Sequence, residues 1–236
     1  MRNLLFIHGA GNDGSIWNDV KKQFAEAGDY KIHTPDLPGH ADQQGKCDSI
    51  DAYSDWIINY ISRNDLANVV LIGHSMGGAI AIVSASRSDR IKAVVIIGSG
   101  LKLPVNSKIL NGLKNSPVQT IKTIAKWSFS FSASTEQKNK AVQMMEKNKK
   151  SLYDDFLACR NYDGHAAAEQ IKVPVLVIAG DSDVMTPAEL SEELANCFNT
   201  TVFKIRNSGH MAQIENPEML FAAINSFISE NLSVNQ

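Results

Sequence analysis

Ser75 is the residue whose neighbours point most directly to chemistry. It lies in the segment Gly-His-Ser-Met-Gly at 73–77, which follows the apolar run at 69–72 and precedes small and apolar residues at helical spacing. A serine in a Gly-x-Ser-x-Gly turn between a strand and a helix is strained, and its hydroxyl stands clear of the sheet as a candidate nucleophile. The N–H of Met76, at the start of that helix, would face a developing oxyanion. The same pattern also arises by chance in glycine-rich turns, so the rest of the chain must decide.

An acid and a base follow two later strands. Asp183 comes after the apolar run at 173–180, at a sheet edge where ligands bind in α/β proteins. His210 follows the strand at 201–205 and a glycine. With Ser75, the order along the chain is nucleophile, acid, base. In such a set the histidine, oriented by the carboxylate, takes the serine proton as the oxygen attacks an ester-type carbonyl, so these residues predict acyl transfer.

A glycine-containing loop follows the first strand, at 4–7. Glycine lets the backbone approach a ligand closely, so Gly9 is a candidate substrate-binding residue. The N–H of Ala10 is the predicted second donor to the oxyanion, opposite that of Met76. His8 is predicted to orient the loop by hydrogen bonding and is included among the candidate substrate-binding residues. An ordinary glycine loop is the alternative interpretation.

The elements that must position these residues alternate between strands and helices. Continuous apolar runs, typical of strands buried on both faces of a parallel sheet, are separated by amphipathic helical segments. With 236 residues, 44% of them hydrophobic, the chain suits one α/β domain with an insertion. We predict an α/β fold with a mostly parallel sheet of about six strands flanked by helices, in which residues 1–98 and 166–236 form the core.

Residues 99–165 differ in composition and are predicted to form a helical lid inserted in the core. Long apolar strands are absent there, and lysine and asparagine become frequent. Helical patterns occur around 107–114, 117–127, 134–148 and 151–160. A helical insertion across the mouth of a site is typical of a lid. Trp127 and Arg160 are its candidate substrate-binding residues, and His165 at its end is a further residue within reach of the cleft.

Charge and cysteine content exclude several classes of function. A formal net charge of -2 gives no electrostatic reason to expect nucleic acid or an anionic membrane as a partner. Apolar runs are too short for a membrane span, and the one near the N-terminus is too short for a signal peptide. Three widely separated cysteines indicate free thiols, so we expect a cytoplasmic protein. Histidines and cysteines lack metal-ligand spacing, and neither a metal nor a cofactor is expected.

Together these motifs resemble the α/β-hydrolase superfamily over about residues 4 to 228, with the insertion left out. The matching positions are 8–9, 17, 36–40, 73–78, 180–183, 187 and 208–210. In that family the acid is the last residue of Gly-x-x-Asp, which implies Asp183, with Asp181 as the alternative. The resemblance also implies Ala10 and Met76 as the oxyanion donors.

The sequence departs from this family at its beginning. Members usually carry two further strands before the first strand found here, and only three residues precede position 4. The sheet edge on that side is therefore expected to be open. An open edge strand can pair with a second copy, so we expect a monomer or a homodimer.

The residues and the resemblance predict a serine hydrolase of the carboxylesterase type, acting on a small ester, thioester or lactone. A serine nucleophile disfavours dehalogenase and epoxide-opening chemistry, since both need a carboxylate at this position. Two alternatives stay open. Some relatives with Gly-His-Ser-Met-Gly-Gly catalyse eliminations, as in menaquinone biosynthesis, and tend to need arginines in the pocket, where Arg160 is the candidate. The other is a ligand-binding receptor with an unused triad.

Overall fold

The core of the molecule is a parallel sheet, as the continuous apolar runs predict. The structure is a computed structural model that describes residues 2–28 and 30–232. Its strands are β1 (Arg2–Ile7), β2 (Tyr30–His33), β3 (Val69–His74), β4 (Ile91–Ile97), β5 (Val175–Gly180) and β6 (Val202–Ile205). Their order is β2-β1-β3-β4-β5-β6, with all neighbours parallel. The predicted α/β class and strand number are confirmed.

Helices cover both faces of the sheet, because successive side chains of a strand point to opposite faces. In chain order they are a 3-10 turn (Gly14–Trp17), α1 (Asn18–Ala27), α2 (Ile50–Arg63), α3 (Met76–Ala85), α4 (Ser107–Asn115), α5 (Pro117–Ser128), α6 (Thr135–Lys147), α7 (Lys149–Asn161), α8 (His165–Gln170), α9 (Ala188–Cys197), α10 (Ala212–Glu215) and α11 (Pro217–Asn231). Leu5 and Ile7 of β1 pack in the layer of α2, α3, α8 and α9, whereas Leu4 and Phe6 pack in the layer of α1, α10 and α11. Among the described residues, no helix has both the length and the apolar character needed to cross a membrane.

The segment between β4 and β5 is helical, as predicted. Helices α4 to α7 match the four predicted helices with ends shifted by no more than two residues. Local signals explain this agreement: Pro117 opens α5, and a reciprocal capping box between Ser134 and Gln137 opens α6. The sequence does not predict α8, because its six residues are too few for a periodic pattern. That residues 99–165 act as a lid stays a prediction.

Strand β2 forms one edge of the sheet and has only four residues. No strand within the described ranges pairs with its outer side. This is the side on which the family resemblance implies further strands. Association of two copies through this edge stays a prediction.

Candidate active site

Ser75 lies on a tight turn between β3 and α3, as predicted. Its backbone has φ 56° and ψ -118°, a left-handed conformation that is strained for any residue with a Cβ. The flanking glycines allow this turn. A Cβ at Gly73 would lie 2.1 Å from the carbonyl oxygen of Gly77, and a Cβ at Gly77 would lie 2.4 Å from the carbonyl oxygen of Ile7. The turn therefore presents the serine at the carboxyl edge of the sheet, where it lines a cavity.

Asp183 and His210 form a hydrogen-bonded pair on the loops that follow β5 and β6. Nδ1 of His210 lies 2.8 Å from Oδ2 of Asp183, and only 5% of the histidine side chain and 2% of the aspartate side chain are exposed. The hydroxyl of Thr186 donates to the same Oδ2 at 2.6 Å. The N–H groups of Met185 and Thr186 donate to Oδ1 at 2.8 and 2.9 Å. These bonds fix both the position and the rotation of the carboxylate.

The charges of this pair follow from its surroundings. Burial raises the pKa of Asp183, but the adjacent His210 and the hydrogen bonds from Thr186 outweigh burial and lower the pKa to about 2. Asp183 is therefore ionised at neutral pH and accepts the Nδ1–H of His210. In the neutral ring this leaves the lone pair of Nε2 free, and that is the atom a general base uses toward a serine.

The two predicted oxyanion donors lie in segments that approach Ser75. Ala10 lines the cavity together with the serine. A Cβ added at Gly9 would lie 3.1 Å from the Cβ of Ser75, so this loop passes directly beside the turn. Met76 is the first residue of α3, so its N–H has no carbonyl partner within that helix. The role of these two N–H groups as oxyanion donors stays a prediction.

Ala10, Ser75 and His210 line the same cavity at the carboxyl edge of the sheet. It contains about 590 Å³ of empty space, its open mouth included. The apolar part of its wall consists of Ala10, Leu103, Pro104, Val105, Ile124, Met145, Phe156, Cys159, Met185 and Met211. The polar part consists of Asn12, His74, Ser75, Ser128, Thr186 and His210. Since none of the described lining residues is Lys, Arg, Asp or Glu, the cavity suits an uncharged and largely apolar group.

Comparison with known proteins identifies the family. The profile of the Alpha/beta hydrolase family matches residues 4–223. The chain belongs to this family. It is 32% identical over 253 residues to the protein named "Putative esterase/lipase 2" of Mycoplasma pneumoniae, covering 99% of this chain and 91% of that protein.

Two further relatives of this alpha/beta hydrolase carry esterase names. The Pimeloyl-[acyl-carrier protein] methyl ester esterase of Wigglesworthia glossinidia brevipalpis is 26% identical over 252 residues, covering 97% of this chain and 94% of that protein. A solved structure of a thermophilic esterase is 26% identical and superposes with a TM-score of 0.85, covering 98% of this chain and 90% of the other. The resemblance inferred from the motifs is confirmed.

The structure of this alpha/beta hydrolase does not bring Trp127 and Arg160 to the cavity. On α5, Ile124 and Ser128 line the cavity, whereas Trp127 is 44% exposed and is not among the described lining residues. On α7, Phe156 and Cys159 line the cavity, whereas Arg160 is exposed and is not among the described lining residues. Neither residue is therefore placed to contact a substrate within the cavity.

Other candidates occupy supporting or remote positions. His8 is fully buried behind the loop, where its Nδ1 donates to the carbonyl of Gly9 and its Nε2 accepts from the N–H of Leu37, both at 3.0 Å. Asp181 is exposed and does not line the cavity. His165 also lies outside the cavity, where its Nδ1 is 2.6 Å from a surface aspartate. Asp183 is thus the carboxylate that contacts His210.

Sequence reasoning misses three residues that support the pair. His74 donates through Nε2 to the carbonyl oxygen of His210 at 2.8 Å, and burial first, then His210, lower the pKa of His74 to about 3, so this ring is neutral. Thr186 caps the carboxylate of Asp183, as described above. Gly98 lies under the pair with φ 55°, and a Cβ there would be 3.2 Å from Nδ1 of His210. Two of these residues have a signal in the sequence: Thr186 comes three residues after Asp183, and Gly98 directly follows the buried strand β4.

We expect Gly98→Ala to lower kcat about 10- to 100-fold, because the new methyl group displaces the Asp183–His210 pair. Gly28→Ala is the matched control, since Gly28 also has a positive φ, 92°, but no atom within 4 Å of its Cβ position. Both variants should lose about 1–2 kcal/mol of unfolding free energy from backbone strain. Steady-state kinetics and urea unfolding measure these effects. Equal kcat in the two variants would show that Gly98 does not support the pair.

Proposed function

We propose that this chain is a serine hydrolase that cleaves a small carboxylic ester, thioester or lactone through an acyl-enzyme on Ser75. The observation that carries the proposal is the buried Asp183–His210 pair, whose histidine lines the same apolar cavity as the strained serine. The esterase names of the relatives support ester hydrolysis as the reaction. Burial of the pair and strain at the serine are typical of functional sites and have no evident value for folding alone.

The proposed reaction has two halves that use the same groups. Oγ of Ser75 attacks the carbonyl carbon while Nε2 of His210 takes the hydroxyl proton. The C=O electron pair moves to the oxygen, where the N–H groups of Ala10 and Met76 stabilise the negative charge. When the tetrahedral intermediate collapses, the bond to the leaving group breaks, and His210 returns the proton to the departing oxygen or sulfur. Water then attacks the acyl-enzyme in the same way, which releases the acid and regenerates the serine.

Asp183 stabilises the imidazolium that forms in each half. Its ionised carboxylate stays within 2.8 Å of Nδ1, and its bonds to Thr186 and Met185 keep it from turning toward water. Positive charge on His210 is thereby paired as soon as it develops. No proton needs to reach the aspartate.

The wall of the cavity supports an uncharged acyl group. We expect the kcat/KM for p-nitrophenyl butyrate to exceed that for the p-nitrophenyl monoester of succinate by about 100-fold. The free carboxylate of the succinyl group would lose its hydration in the cavity without gaining a cation as partner. The two acyl chains have the same number of carbons, so they fill the cavity to a similar extent. Comparable values for both esters would indicate a cation within reach of the cavity.

The same observation argues against elimination of a carboxylated substrate. That hypothesis assigns Arg160 to the pocket, and Arg160 is exposed on α7. Lys and Arg are absent from the described residues that line the cavity. We therefore propose hydrolysis and not elimination.

The proposal is tested by turnover of p-nitrophenyl esters from acetate to octanoate and by labelling with a fluorophosphonate. We expect hydrolysis with the highest kcat/KM at one acyl chain length, and that length indicates how long an acyl group the cavity accommodates. Mass spectrometry should locate the phosphonyl group on the peptide that contains Ser75. A folded protein that hydrolyses none of the esters and is not labelled would contradict the proposal and favour the receptor hypothesis.

We also propose that the enzyme works in the cytoplasm on a small-molecule substrate, without a nucleic-acid or membrane partner, as a monomer or homodimer. The free thiols of Cys47, Cys159 and Cys197 support a reducing compartment. The formal net charge of -2 supports the absence of a polyanionic partner. Light scattering after size-exclusion chromatography distinguishes monomer from dimer.

A further inference from the structure

The helical insertion contains a buried carboxylate that the proposed reaction does not use. Asp155 on α7 is fully buried. Its Oδ2 accepts from the N–H of Gly11 at 2.9 Å and lies 2.8 Å from Nε2 of His40, and its Oδ1 accepts from the hydroxyl of Tyr53 at 2.7 Å. Taking a carboxylate out of water is unfavourable unless its partners compensate for the loss. The identity of those partners indicates what the carboxylate does.

One partner directly follows the predicted oxyanion donor Ala10. The N–H of Ala10 shares a peptide plane with the carbonyl of Gly9. That carbonyl accepts from Nδ1 of His8 at 3.0 Å and from the N–H of Asn12 at 3.2 Å. Since the N–H and C=O of a trans peptide point in opposite directions, these bonds bias the N–H of Ala10 away from the loop.

The next peptide plane is held from both sides. The carbonyl of Ala10 accepts from Nδ2 of Asn12 at 3.0 Å, and the N–H of Gly11 donates to Asp155 at 2.9 Å. Gly11 has φ 66°, a conformation that needs support from outside the residue. Asp155 is separated from it by 144 positions in the chain, so this bond connects the loop to the insertion.

A second residue near the start of α7 contacts the same loop. Asn148 is buried, and its Nδ2 donates to the carbonyls of Gly11 and Asn12 at 3.3 and 3.1 Å. Its Oδ1 accepts from the N–H of Ala41 at 2.8 Å. The loop is therefore bonded to the helical insertion through both its N–H and its carbonyl groups.

We propose that Asp155 is a positioning residue for the loop at 9–12, which carries the predicted oxyanion donor: by accepting the Gly11 N–H, it keeps the adjacent Ala10 N–H directed at the substrate oxygen. This role rests on the proposed ester hydrolysis. His40 shares Oδ2 with the Gly11 N–H, whereas the hydroxyl of Tyr53 donates to the other oxygen, Oδ1, which takes no part in the bond to the loop. Asp155 itself touches no reacting atom.

Asp155→Ala and Asp155→Asn test the role, and Tyr53→Phe is the matched control. Tyr53→Phe removes one hydrogen bond from the same carboxylate but leaves the bond to Gly11 in place. We expect Asp155→Ala to lower kcat for a p-nitrophenyl ester about 10- to 100-fold through misalignment of the donor, with KM changed by less than about 3-fold. Asp155→Asn, which keeps one acceptor oxygen, should fall between wild type and Asp155→Ala. Tyr53→Phe should keep kcat within about 2-fold of wild type.

Amide hydrogen exchange provides a readout that does not depend on turnover. In both Asp155 variants the peptide covering residues 9–12 should exchange faster than in wild type, whereas Tyr53→Phe should leave that peptide unchanged. Thermal unfolding of all variants separates this local effect from a general loss of stability. If Asp155→Ala fails to fold, exchange of this peptide in the isosteric Asp155→Asn tests the positioning role.

Two results would overturn the positioning role. One is unchanged exchange of residues 9–12 in the Asp155 variants; the other is a kcat loss in Tyr53→Phe equal to that in Asp155→Asn. A wild-type protein without esterase activity would instead contradict the proposed function, and the exchange measurement would still decide whether Asp155 holds the loop.

Discussion

We expect Ser75→Ala to abolish ester hydrolysis, with kcat at least about 10⁴-fold below that of wild type. The alanine has no oxygen to form the acyl-enzyme, and the His210–Asp183 pair has no proton to accept. Uncatalysed attack by water next to the predicted oxyanion donors is the activity that remains. Initial rates with a p-nitrophenyl ester, measured at several enzyme concentrations, give the residual kcat. Fluorophosphonate labelling should disappear in the same variant.

Ser84→Ala provides the control for this experiment. Ser84 is fully buried in α3, the helix that begins directly after Ser75, and its hydroxyl has no hydrogen-bond partner among the described residues. Its removal should leave kcat within about 2-fold of wild type. If Ser75→Ala retained a tenth or more of the wild-type rate while remaining folded, attack by this serine would be ruled out as the main route.

The parts of this molecule that sequence patterns predict are those that depend on local signals. Ser75 is recognisable because a Cβ at Gly73 would meet the turn itself at 2.1 Å and a Cβ at Gly77 would meet the neighbouring strand β1 at 2.4 Å, so both positions require glycine. Asp183 and His210 are recognisable because each follows a buried strand, and parallel strands end at the same edge of a sheet. Their meeting at 2.8 Å then follows from the topology.

The pocket is less predictable, because it depends on how three helices of the insertion face the core. Trp127 is a large apolar residue on α5, yet Ser128 faces the cavity and Trp127 faces solvent. A helical period identifies an apolar stripe but not the neighbour that each part of the stripe contacts. The composition of the wall therefore could not be derived from the sequence.

Asp155 shows the same limit for a polar residue. On α7 it shares a face with Leu152, Ala158 and Cys159, and this apolar pattern does not indicate which donors a carboxylate there would meet. Its partners Gly11, His40 and Tyr53 are more than 100 positions away in the chain. A buried carboxylate is identified only when the structure brings such distant donors together.

The second large effect is expected for Asp183→Asn, with a loss of about 10⁴-fold in kcat, as is usual when the acid of such a set becomes an amide. The structure explains how the loss would arise. Two backbone N–H groups, from Met185 and Thr186, donate to Oδ1, so the amide oxygen must occupy that position. The amide NH₂ then faces Nδ1 of His210 and donates to it. The ring must carry its proton on Nε2, where it cannot accept one from Ser75.

Asp181→Asn is the matched control, because Asp181 is exposed in the same loop, and it should keep kcat within about 2-fold of wild type. Loss of activity in both variants would argue that the loop as a whole, and not the acid at 183, is required. A pH profile of Asp183→Asn adds a second criterion. If activity recovered at high pH to the wild-type level, the tautomer explanation would be wrong, since the neutral ring would still hold its proton on Nε2.

Stability should respond to acid through the same carboxylate. The folded-state pKa of Asp183 is lowered from 3.8 to about 2, so its ionised form stabilises the native state above the unfolded pKa and this contribution is lost as pH falls toward 2. The full contribution is about 2 kcal/mol. Asp183→Asn cannot titrate at this position, so it does not lose this contribution in acid. The difference in unfolding free energy between wild type and Asp183→Asn should therefore shrink by about 1 kcal/mol from pH 6 to pH 3. Urea unfolding of both proteins at the two pH values measures the difference, and a constant gap would contradict the low pKa that keeps Asp183 ionised beside His210.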